Sequence, residues 1–454
     1  MATRLSITSR QRLWQVGRAA TTIAARDTLR RIGIALTPGP SKDAAQRART
    51  LRTTTDVAAA VAGMRGLTVK LAQMASYVDP AAPDDVRNGL ARFQDAAPPM
   101  SADLALGVLR DELGERLSRF AEIEEEPRAA ASIGQVHRAT LRDGTTVALK
   151  IQYPDARELI TADLEQAPAI VGLLRFAFPS MRVDDIVAEL ATRVRDELDY
   201  RREAAVQARF ARAYAGHPRI VIPRPIGALT TSRVLVTEWI DGAPFASAAT
   251  LEPEERSEIG EILFRFVFAS LYRLRLYNGD PHPGNYLILD GPRPRVAFLD
   301  FGFSRSFTAD EMATFEALIR ARVVTPDRHA FAETLRAAGL VIGDDHDDDV
   351  LWEFFAPYYE LVETPGPRTV TPAWASGILR HTFDRSHPLA SAVNVPPAFV
   401  VVQRINLGLY ALLAELGATA DWRAIAEDIW PFVARAPITP IGQEEAAWRL
   451  ERAR

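Results

Sequence analysis

The chain has 454 residues, 48% of them hydrophobic and 25% charged, which is enough for two lobes and further extensions around a large core. It contains no cysteine, so disulfides and thiolate metal sites are excluded. Its longest apolar stretches are interrupted by charged residues, so the two most apolar helices expected, 262–277 and 399–416, are predicted to be buried core helices of a cytoplasmic protein.

Residues 1–54 form a basic N-terminal segment. The first fifty residues contain ten Lys or Arg and two Asp, although the whole chain has a net charge of −4. Trp14, Val16 and Ile23 alternate there with arginines, a pattern that fits an amphipathic helix on a membrane or partner, a solvated tail, or a transit peptide. The segment lacks the aromatic interleaving and motifs of nucleic-acid binders, so no nucleic-acid partner is predicted.

Residues 55–126 are predicted to form a helical N-terminal extension. Apolar residues recur there at three- and four-residue spacing, from Val57 to Met74. Lys70 and Gln73 are one turn apart and share a helix face. From the residues alone, that pair is best interpreted as an exposed polar stripe.

Residues 127–240 are predicted to form a nucleotide-binding lobe. Val147-Ala148-Leu149-Lys150 lies on an apolar stretch, 145–151, that follows the turn signal Asp143-Gly144, and Lys150 is the candidate ligand of the α- and β-phosphates. The expected phosphate-covering loop precedes it, with the candidate residues Ala129, Ala130, Ala131, Ser132, Gly134 and Gln135. Alanines replace most of the usual glycines, so the loop should be stiffer and the nucleotide pose altered.

A second hairpin, 220–226 with 234–240, should end this lobe, with the backbone at Glu238 as the hinge that contacts the adenine. The lysine also needs a carboxylate partner. Glu197, Asp199 and Glu203 lie on a predicted helical segment, 186–214. Glu203 is the candidate partner of Lys150, and a solvated helix face is the alternative for each of the three.

Residues 241–345 carry the most specific motif. Asp280 is followed five residues later by Asn285, and Asp300-Phe301-Gly302 follows a predicted hairpin of Tyr286–Leu289 and 296–299. This is the layout of a kinase catalytic loop and metal-binding loop. It predicts Asp280 as the catalytic carboxylate, and Asn285 and Asp300 as magnesium ligands.

Four further residues, of which His137 belongs to the preceding lobe, are given structural interpretations. His282 should orient the catalytic loop by hydrogen bonding, and His137 should be an ordinary strand residue. Thr308 and Glu311 have the spacing of a capping box. The segment 302–308 is too short for an ordinary activation loop, which disfavours protein substrates.

Residues 346–454 are predicted to form a helical C-terminal extension. The acidic run 344–349 resembles a metal cluster, but adjacent carboxylates cannot all turn toward one ion. Such runs are usually solvated or lie at a helix N-terminus.

Together these blocks resemble the UbiB/AarF/ADCK family of atypical protein-kinase-like proteins. The resemblance extends from about Gly63 to Phe307 and includes Lys70-Leu71-Ala72-Gln73, which is similar to the family's Lys-x-Gly-Gln motif. It implies an α+β, protein-kinase-like, two-lobed fold with helical N- and C-terminal extensions. It further implies that Lys70 and Gln73 reach toward the nucleotide and face Glu197 and Asp199, and that Glu203 pairs with Lys150.

Two departures from the family pattern stand out. Ala72 replaces the glycine of the Lys-x-Gly-Gln motif, and Asn278-Gly279 replaces the usual His-Ala before the catalytic aspartate. The first adds a methyl group where the helix should pack closely. The second leaves the metal-binding and acceptor-orienting groups intact.

The predicted function is that of an ATP-binding, Mg²⁺-dependent atypical kinase or ATPase, which by resemblance supports isoprenoid quinone or other membrane lipid metabolism. Two alternatives stay open: a small-molecule kinase of the aminoglycoside or choline kinase type, and a nucleotide-binding pseudokinase scaffold. A membrane surface, a lipid or a protein of lipid biosynthesis is a candidate partner. Peripheral membrane association is left open.

Overall fold

The computed structural model describes residues 100–131, 133–165, 198–278, 280–343, 345–384 and 387–452. The predictions for the basic segment 1–54, for the helical extension up to 99, and for Lys70, Gln73, Ser132 and Glu197 lie outside the described residues. The described chain divides into two compact units. Of the described residues, those from 100 to 200 together with 229–236 belong to the first unit, and 201–228 together with 237–452 belong to the second.

Helices and strands are both well represented, which confirms the α+β fold class. The described helices are α1 (Ala102–Leu113), α2 (Ala156–Glu165), α3 (Tyr200–Ala213), α4 (Pro253–Leu274), α5 (Ala309–Ile319), α6 (Arg328–Ala337), α7 (Asp348–Phe355), α8 (Glu360–Glu363), α9 (Pro372–Phe383), α10 (Pro397–Leu416), α11 (Trp422–Ile429) and α12 (Pro440–Arg452).

The strands are short, and most of them precede α5. They are β1 (Phe120–Ile123), β2 (Ala129–Ala131), β3 (Gly134–Leu141), β4 (Thr146–Gln152), β5 (Ile220–Val221), β6 (Val234–Glu238), β7 (Ala243–Pro244), β8 (Leu276–Asn278), β9 (Tyr286–Leu289), β10 (Arg295–Phe298), β11 (Ser304–Ser306), β12 (Arg368–Thr369) and β13 (Thr419–Ala420).

The first unit is built on a sheet of strand order β1-β3-β4-β6, with β2 paired to β3. The predicted turn at Asp143-Gly144 is confirmed: Gly144 has a φ of 86°, and the Asp143 carboxylate accepts the Thr145 N–H at 2.9 Å. Alternation along β4 buries Val147, Leu149 and Ile151 completely and places Lys150 on the other, half-exposed face. Strand β1 lies N-terminal to the predicted start of this lobe at 127.

The second unit contains a sheet of strand order β5-β10-β9-β7. The predicted hairpin at 286–299 is confirmed, with Val296 opposite Ile288. The predicted hairpin of 220–226 with 234–240 is wrong in its first half, because β5 pairs in parallel with β10. Only an isolated antiparallel bridge between Pro225 and Thr237 remains of it. Burial of Ile220 in the core of the second unit accounts for the different partner.

The two apolar helices predicted from the sequence are present as α4 and α10, but α4 ends at Leu274 and the last two residues of the predicted 262–277 helix belong to β8. Helix α4 begins with a capping box between Glu252 and Glu255 and buries apolar side chains at helical spacing, such as Ile259, Ile262 and Phe266. By length and composition alone, α10 is also apolar enough to cross a membrane, but 56% of its most apolar stretch is buried inside the protein. We therefore describe α10 as a core helix.

The region after Thr308 is mostly helical, as predicted, apart from a short strand pair. Strands β12 and β13 pair as a short antiparallel ladder, which the sequence analysis did not anticipate. The chain at 320–324 forms a turn of π-helix that follows α5. The predicted capping box of Thr308 and Glu311 is confirmed at the start of α5.

A buried ionic network connects α4, α11 and α12. Arg265 is completely buried and forms ion pairs with Glu261 at 2.7 Å, Asp428 at 3.2 Å and Glu445 at 3.6 Å. It also donates a hydrogen bond to the Thr439 hydroxyl. Because a buried charge is costly unless it is paired, these three helices depend on one another for stability.

Helix α12 also binds the C-terminal end of α3. The Arg452 guanidinium donates to the carbonyls of Arg212 at 2.9 Å and Ala213 at 2.6 Å. The Trp448 indole donates to the Ala215 carbonyl at 3.1 Å. The last carbonyls of a helix have no partner within the helix itself, so α12 satisfies the polar groups that α3 leaves open.

Candidate active site

The catalytic-loop motif forms a hydrogen-bonded turn between β8 and β9. The His282 imidazole Nδ1 accepts the Gly284 N–H at 2.9 Å and caps the 3₁₀ turn of Pro283–Asn285. The His282 N–H donates to the Asp280 carbonyl at 2.8 Å. The prediction that His282 orients this loop by hydrogen bonding is therefore confirmed.

Asp280 and Asn285 are brought together by that turn. The Asn285 amide nitrogen donates to the Asp280 carbonyl at 3.1 Å and to its carboxylate Oδ2 at 3.3 Å. The Asn285 carbonyl accepts the Leu299 N–H at 3.0 Å, which ties the loop to the residue before Asp300. With the amide nitrogen engaged, the amide oxygen of Asn285 is directed away from Asp280 and is the atom suited to a cation.

Asp300 is held from both sides. Its carboxylate Oδ1 accepts the Gly302 N–H at 2.8 Å, and its carbonyl accepts the Asn278 side-chain amide at 2.9 Å. Strand β11 pairs with β8, so Ser304 lies opposite Asn278. The two loops that carry the predicted magnesium ligands therefore form one hydrogen-bonded assembly within the second unit.

Glu203 is buried beside the Asp-Phe-Gly segment. It lies in the first turn of α3 and is 5% exposed. A side chain at position 302 would lie 3.3 Å from Asp300 Oδ1 and 3.4 Å from Glu203 Oε2, so both carboxylates approach Gly302. Further along α3, Phe210 packs on Phe301 with ring centroids 4.9 Å apart, and this contact fixes the helix against the segment.

Lys150 belongs to the first unit and lies opposite Val136 in the β3–β4 hairpin. Its ammonium is 5.0 Å from the centroid of the buried Tyr200 ring, within the range of a cation–π contact. Asp199 directly precedes Tyr200 and is half-buried. Since Glu203 belongs to the other unit, its pairing with Lys150 stays a prediction.

The alanine-rich segment forms a tight antiparallel hairpin of β2 and β3, with Ala129, Ala130 and Ala131 opposite Val136, Gln135 and Gly134. A Cβ on Gly134 would lie 2.2 Å from the Ile151 carbonyl oxygen on β4. Strand packing therefore requires a glycine at this position of the expected phosphate-covering loop. Ala129 and Ala130 are exposed and Ala131 is half-buried.

The prediction that Gln135 is a nucleotide-binding residue requires a correction for its side chain. It is 1% exposed, accepts the Met100 N–H at 2.9 Å, and contacts the His137 imidazole at 2.6 Å. These bonds give it a structural role beneath the hairpin, so a nucleotide could contact only its backbone. His137 is a β3 residue, as predicted.

The Glu238 side chain is engaged as well. It forms an ion pair with Arg224 and accepts the Arg224 backbone N–H at 2.9 Å. Burial alone would raise the pKa of Glu238, but the hydrogen bonds from Arg224 outweigh it and hold the pKa below its usual value. The predicted hinge contact with the adenine can therefore be made by the backbone of this segment but not by the Glu238 carboxylate.

Three residues of the acidic run, Asp347, Asp348 and Asp349, have ordinary structural roles. Asp347 caps α7, Asp348 bonds His329 and Arg336, and Asp349 pairs with Arg328. Among the described residues, no group of three or more acidic or histidine side chains is placed to hold a metal ion. The run lies at the N-terminus of α7, one of the two positions that the sequence analysis named for it.

Sequence reasoning missed two contributors to the site. Asn278 was noted only as a departure from a family pattern, yet its amide holds the Asp300 carbonyl. Phe210 was not singled out, although its seven-residue spacing from Glu203 places both on one face of α3. That spacing was the available signal for Phe210.

Comparison with known proteins identifies one family model over much of this chain. The model of the ABC1 atypical kinase-like domain matches residues 92–335. A chloroplastic aarF domain-containing protein kinase of Arabidopsis thaliana is 30% identical over 85% of this chain and 55% of its own length.

Two further relatives are the mitochondrial atypical kinase COQ8B of Rattus norvegicus, 36% identical, and the probable protein kinase UbiB of Marinobacter nauticus, 32% identical. Each match covers 54% of this chain and 46% of the relative. The matched region thus spans about half the length of these curated relatives.

Among solved structures, Rv3197 of Mycobacterium tuberculosis, determined in complex with erythromycin, is similar to this chain with a TM-score of 0.63 and 30% identity. The similarity covers 87% of this chain and all of that one.

Proposed function

Because the chain belongs to the ABC1 atypical kinase-like family, we propose that it binds a magnesium–nucleotide complex and uses it for phosphoryl transfer or ATP hydrolysis. The strongest support is the hydrogen-bonded assembly of Asp280, Asn285 and Asp300 in the second unit. A scaffold that had lost its chemistry would have no need to hold a carboxylate, an amide and a second carboxylate in this arrangement.

The donor chemistry of that assembly fits magnesium. Mg²⁺ prefers oxygen ligands from a small number of carboxylates and amides, and it retains several waters. The Asn285 amide oxygen and the Asp300 carboxylate supply such ligands. The bond that the Asn285 amide nitrogen donates to the Asp280 carbonyl and the bond that Asp300 accepts from the Gly302 N–H already set their orientation. When bound, the ion would neutralise negative charge on the phosphates.

Each of the remaining groups has a defined task in this proposal. Asp280 orients the attacking hydroxyl or water and accepts its proton. Lys150 contacts the α- and β-phosphates from its half-exposed strand face, with Glu203 as its carboxylate partner. Lys70, Gln73, Glu197 and Asp199 are proposed to line the same nucleotide site, on the basis of the family resemblance.

Phosphorylation of proteins in trans is not part of the proposal. The segment between Gly302 and Thr308 consists mainly of β11, which is paired with β8, and α5 begins directly afterwards. Its length and pairing leave no extended activation loop on which a peptide could dock.

The acceptor and setting are proposed from the UbiB and COQ8 relatives. We place the chain in isoprenoid quinone or other membrane lipid metabolism, with peripheral membrane contact through the basic segment 1–54. Mass spectrometry of small molecules that copurify with the protein tests this assignment. Recovery of a quinone precursor or isoprenoid lipid would support it, and recovery of an unrelated phosphorylated metabolite would favour a small-molecule kinase.

A second candidate function is binding of a macrolide-like ligand, favoured by the similarity to Rv3197, which was solved with erythromycin. Titration of the wild type with erythromycin, with and without Mg-ADP, tests it. Saturable binding at micromolar concentration would support this function, and the lack of any heat or thermal shift would exclude erythromycin as a ligand.

The main proposal is tested by thermal unfolding with Mg-ATP and Mg-ADP. A ligand at one hundred times its dissociation constant stabilises the native state by about 2.7 kcal/mol, so the wild type should show a clear shift. Asp300→Asn should abolish the shift, and Asp290→Asn, an exposed aspartate in the β9–β10 turn, should retain it. Equal shifts in both variants would contradict the metal assignment.

Turnover distinguishes the enzyme from the scaffold alternative. Asp280→Asn should retain the nucleotide-induced thermal shift and lose most phosphate release, because this substitution removes a proton acceptor. A wild type that binds nucleotide but releases no phosphate under any acceptor condition would favour the pseudokinase scaffold.

A further inference from the structure

Helix α10 touches the catalytic loop with its backbone. A Cβ on Gly408 would lie 2.3 Å from the Cγ and 3.3 Å from the Cβ of Pro281, the residue next to Asp280. Gly408 and Pro281 are both buried. Glycine is the least favourable helix residue after proline, so a glycine in the middle of α10 needs a packing reason. The Pro281 ring supplies that reason.

The same helix makes two more contacts with this region. The Tyr277 hydroxyl donates to the Asn406 side-chain oxygen at 3.0 Å, and Tyr277 precedes the catalytic loop. Burial raises the pKa of Tyr277 well above its usual value, so its hydroxyl keeps the proton that it donates. The Arg404 guanidinium lies 4.1 Å from the Phe303 ring centroid, directly after the Asp-Phe-Gly segment.

We infer that α10 is the positioning element of the catalytic loop, and that Gly408 sets the depth at which Pro281, and with it Asp280, lies. The inference rests on the proposed role of Asp280. Three residues of α10 make these contacts. Asn406 contacts Tyr277 before the loop, Gly408 contacts Pro281 in the loop, and Arg404 contacts Phe303 after the metal-binding segment. A side chain at 408 must displace Pro281 because both groups are confined in the core.

The test substitution is Gly408→Ala. A displacement of about 1 Å at a reacting group can lower turnover by about one hundredfold, so we expect phosphate release to fall at least tenfold. Nucleotide affinity should change much less than kcat, because Lys150 lies on another unit. Gly377→Ala in α9 is the matched control, since its new methyl group would meet only the end of the Arg380 side chain at 4.0 Å. It should retain full turnover.

Rescue separates positioning from general damage. Pro281→Ala in the Gly408→Ala background removes the Cγ that the new methyl would strike, so the double variant should recover turnover relative to Gly408→Ala. A helix that was merely weakened would gain nothing from the second change. Full turnover in Gly408→Ala, or no recovery in a folded double variant, would overturn the inference.

Hydrogen exchange supplies a readout that does not require turnover. The Asn285 N–H is bonded within the loop to the His282 carbonyl, so its exchange reports on loop position. It should accelerate in Gly408→Ala and slow again in the double variant. A wild type without turnover would contradict the proposed function. Asn285 N–H exchange that is the same in Gly408→Ala as in the wild type would instead overturn the positioning role of α10.

Tyr277→Phe is the milder variant if Gly408→Ala does not fold. It removes one hydrogen bond to α10 and leaves the half-buried Asn406 amide accessible to water. We expect faster exchange in the loop and a several-fold loss of turnover with the fold intact. Wild-type exchange and turnover in Tyr277→Phe would count against α10 as the positioning element.

Discussion

Replacement of Glu445 by glutamine should destabilise the protein by about 3 kcal/mol at neutral pH. Glu445 is completely buried and pairs with Arg273 at 3.2 Å, Arg265 at 3.6 Å and Arg449 at 3.8 Å, with His217 Nε2 at 3.4 Å. Burial alone would raise the pKa of Glu445, but the neighbouring His217, Arg265 and Arg273 side chains lower it to about 2.

The magnitude follows from that pKa. The ordinary value is 4.5, so the shift to about 2 corresponds to roughly 3 kcal/mol, at about 1.4 kcal/mol for each pKa unit. Removing one partner of a buried ion pair costs roughly 3–5 kcal/mol in general, which is the same order. The glutamine keeps the shape of the side chain but leaves Arg265 with less compensation.

The pH dependence has a definite sign. Because the folded pKa lies below the unfolded one, the stabilisation is present above pH 4.5 and is lost as the pH falls from 4.5 toward 2. Wild type should therefore lose stability over this window more steeply than Glu445→Gln does. The difference between the two proteins should narrow from about 3 kcal/mol at pH 7 to a small remainder near pH 2.

Urea unfolding followed by tryptophan fluorescence measures this, because Trp448 packs on His217 with ring centroids 4.6 Å apart. Glu451→Gln, an exposed glutamate on the same helix, is the control and should change stability by less than about 0.5 kcal/mol. Equal losses in both variants, or a Glu445→Gln deficit that does not narrow in acid, would refute the reasoning.

Two further predictions concern the first unit. Gln135→Leu should lower the free energy of unfolding by about 1–3 kcal/mol, because it leaves the buried Met100 N–H without its acceptor. It should leave the affinity for Mg-nucleotide unchanged. Urea unfolding measures the first effect and calorimetry the second, and a large loss of affinity would restore Gln135 as a nucleotide ligand. Ala131→Gly should widen the conformational range at the β2 edge and change the ratio of ATP to ADP affinity, and identical ratios in titrations of both proteins would show that this residue does not set the pose.

Local signals in the sequence were sufficient for much of the fold. The strand Tyr286–Leu289 and the capping box of Thr308 and Glu311 depend on residues close together in the chain, and both are confirmed. The kinase-like family assignment rested on ordered motifs and is also confirmed. Where a short segment contains its own turn or cap, its structure can be read from that segment.

The remaining features depend on distant partners. The pairing partner of β5 was predicted wrongly, because β10 lies about seventy-five residues away and the predicted partner, 234–240, is nearer in the sequence. Nothing near Gln135 in the sequence indicates that Met100 will bind its amide. The packing reason for Gly408 is likewise a proline more than one hundred positions earlier. Residue type predicted the chemistry of the site, and only the tertiary structure shows what supports it.

The capping of α3 by α12 has a consequence for biosynthesis. The bonds from Arg452 to Ala213 and Arg212 join residues 239 and 240 positions apart, and Glu445 joins His217 over a similar span. Closing so long a segment is entropically slow, and α3 stays uncapped until α12 has left the ribosome. We therefore expect the helix that carries Glu203 to reach its final stability only after synthesis of α12. A chain terminated after α11 would contain every proposed catalytic residue and still present an incompletely folded second unit to the cell's proteases.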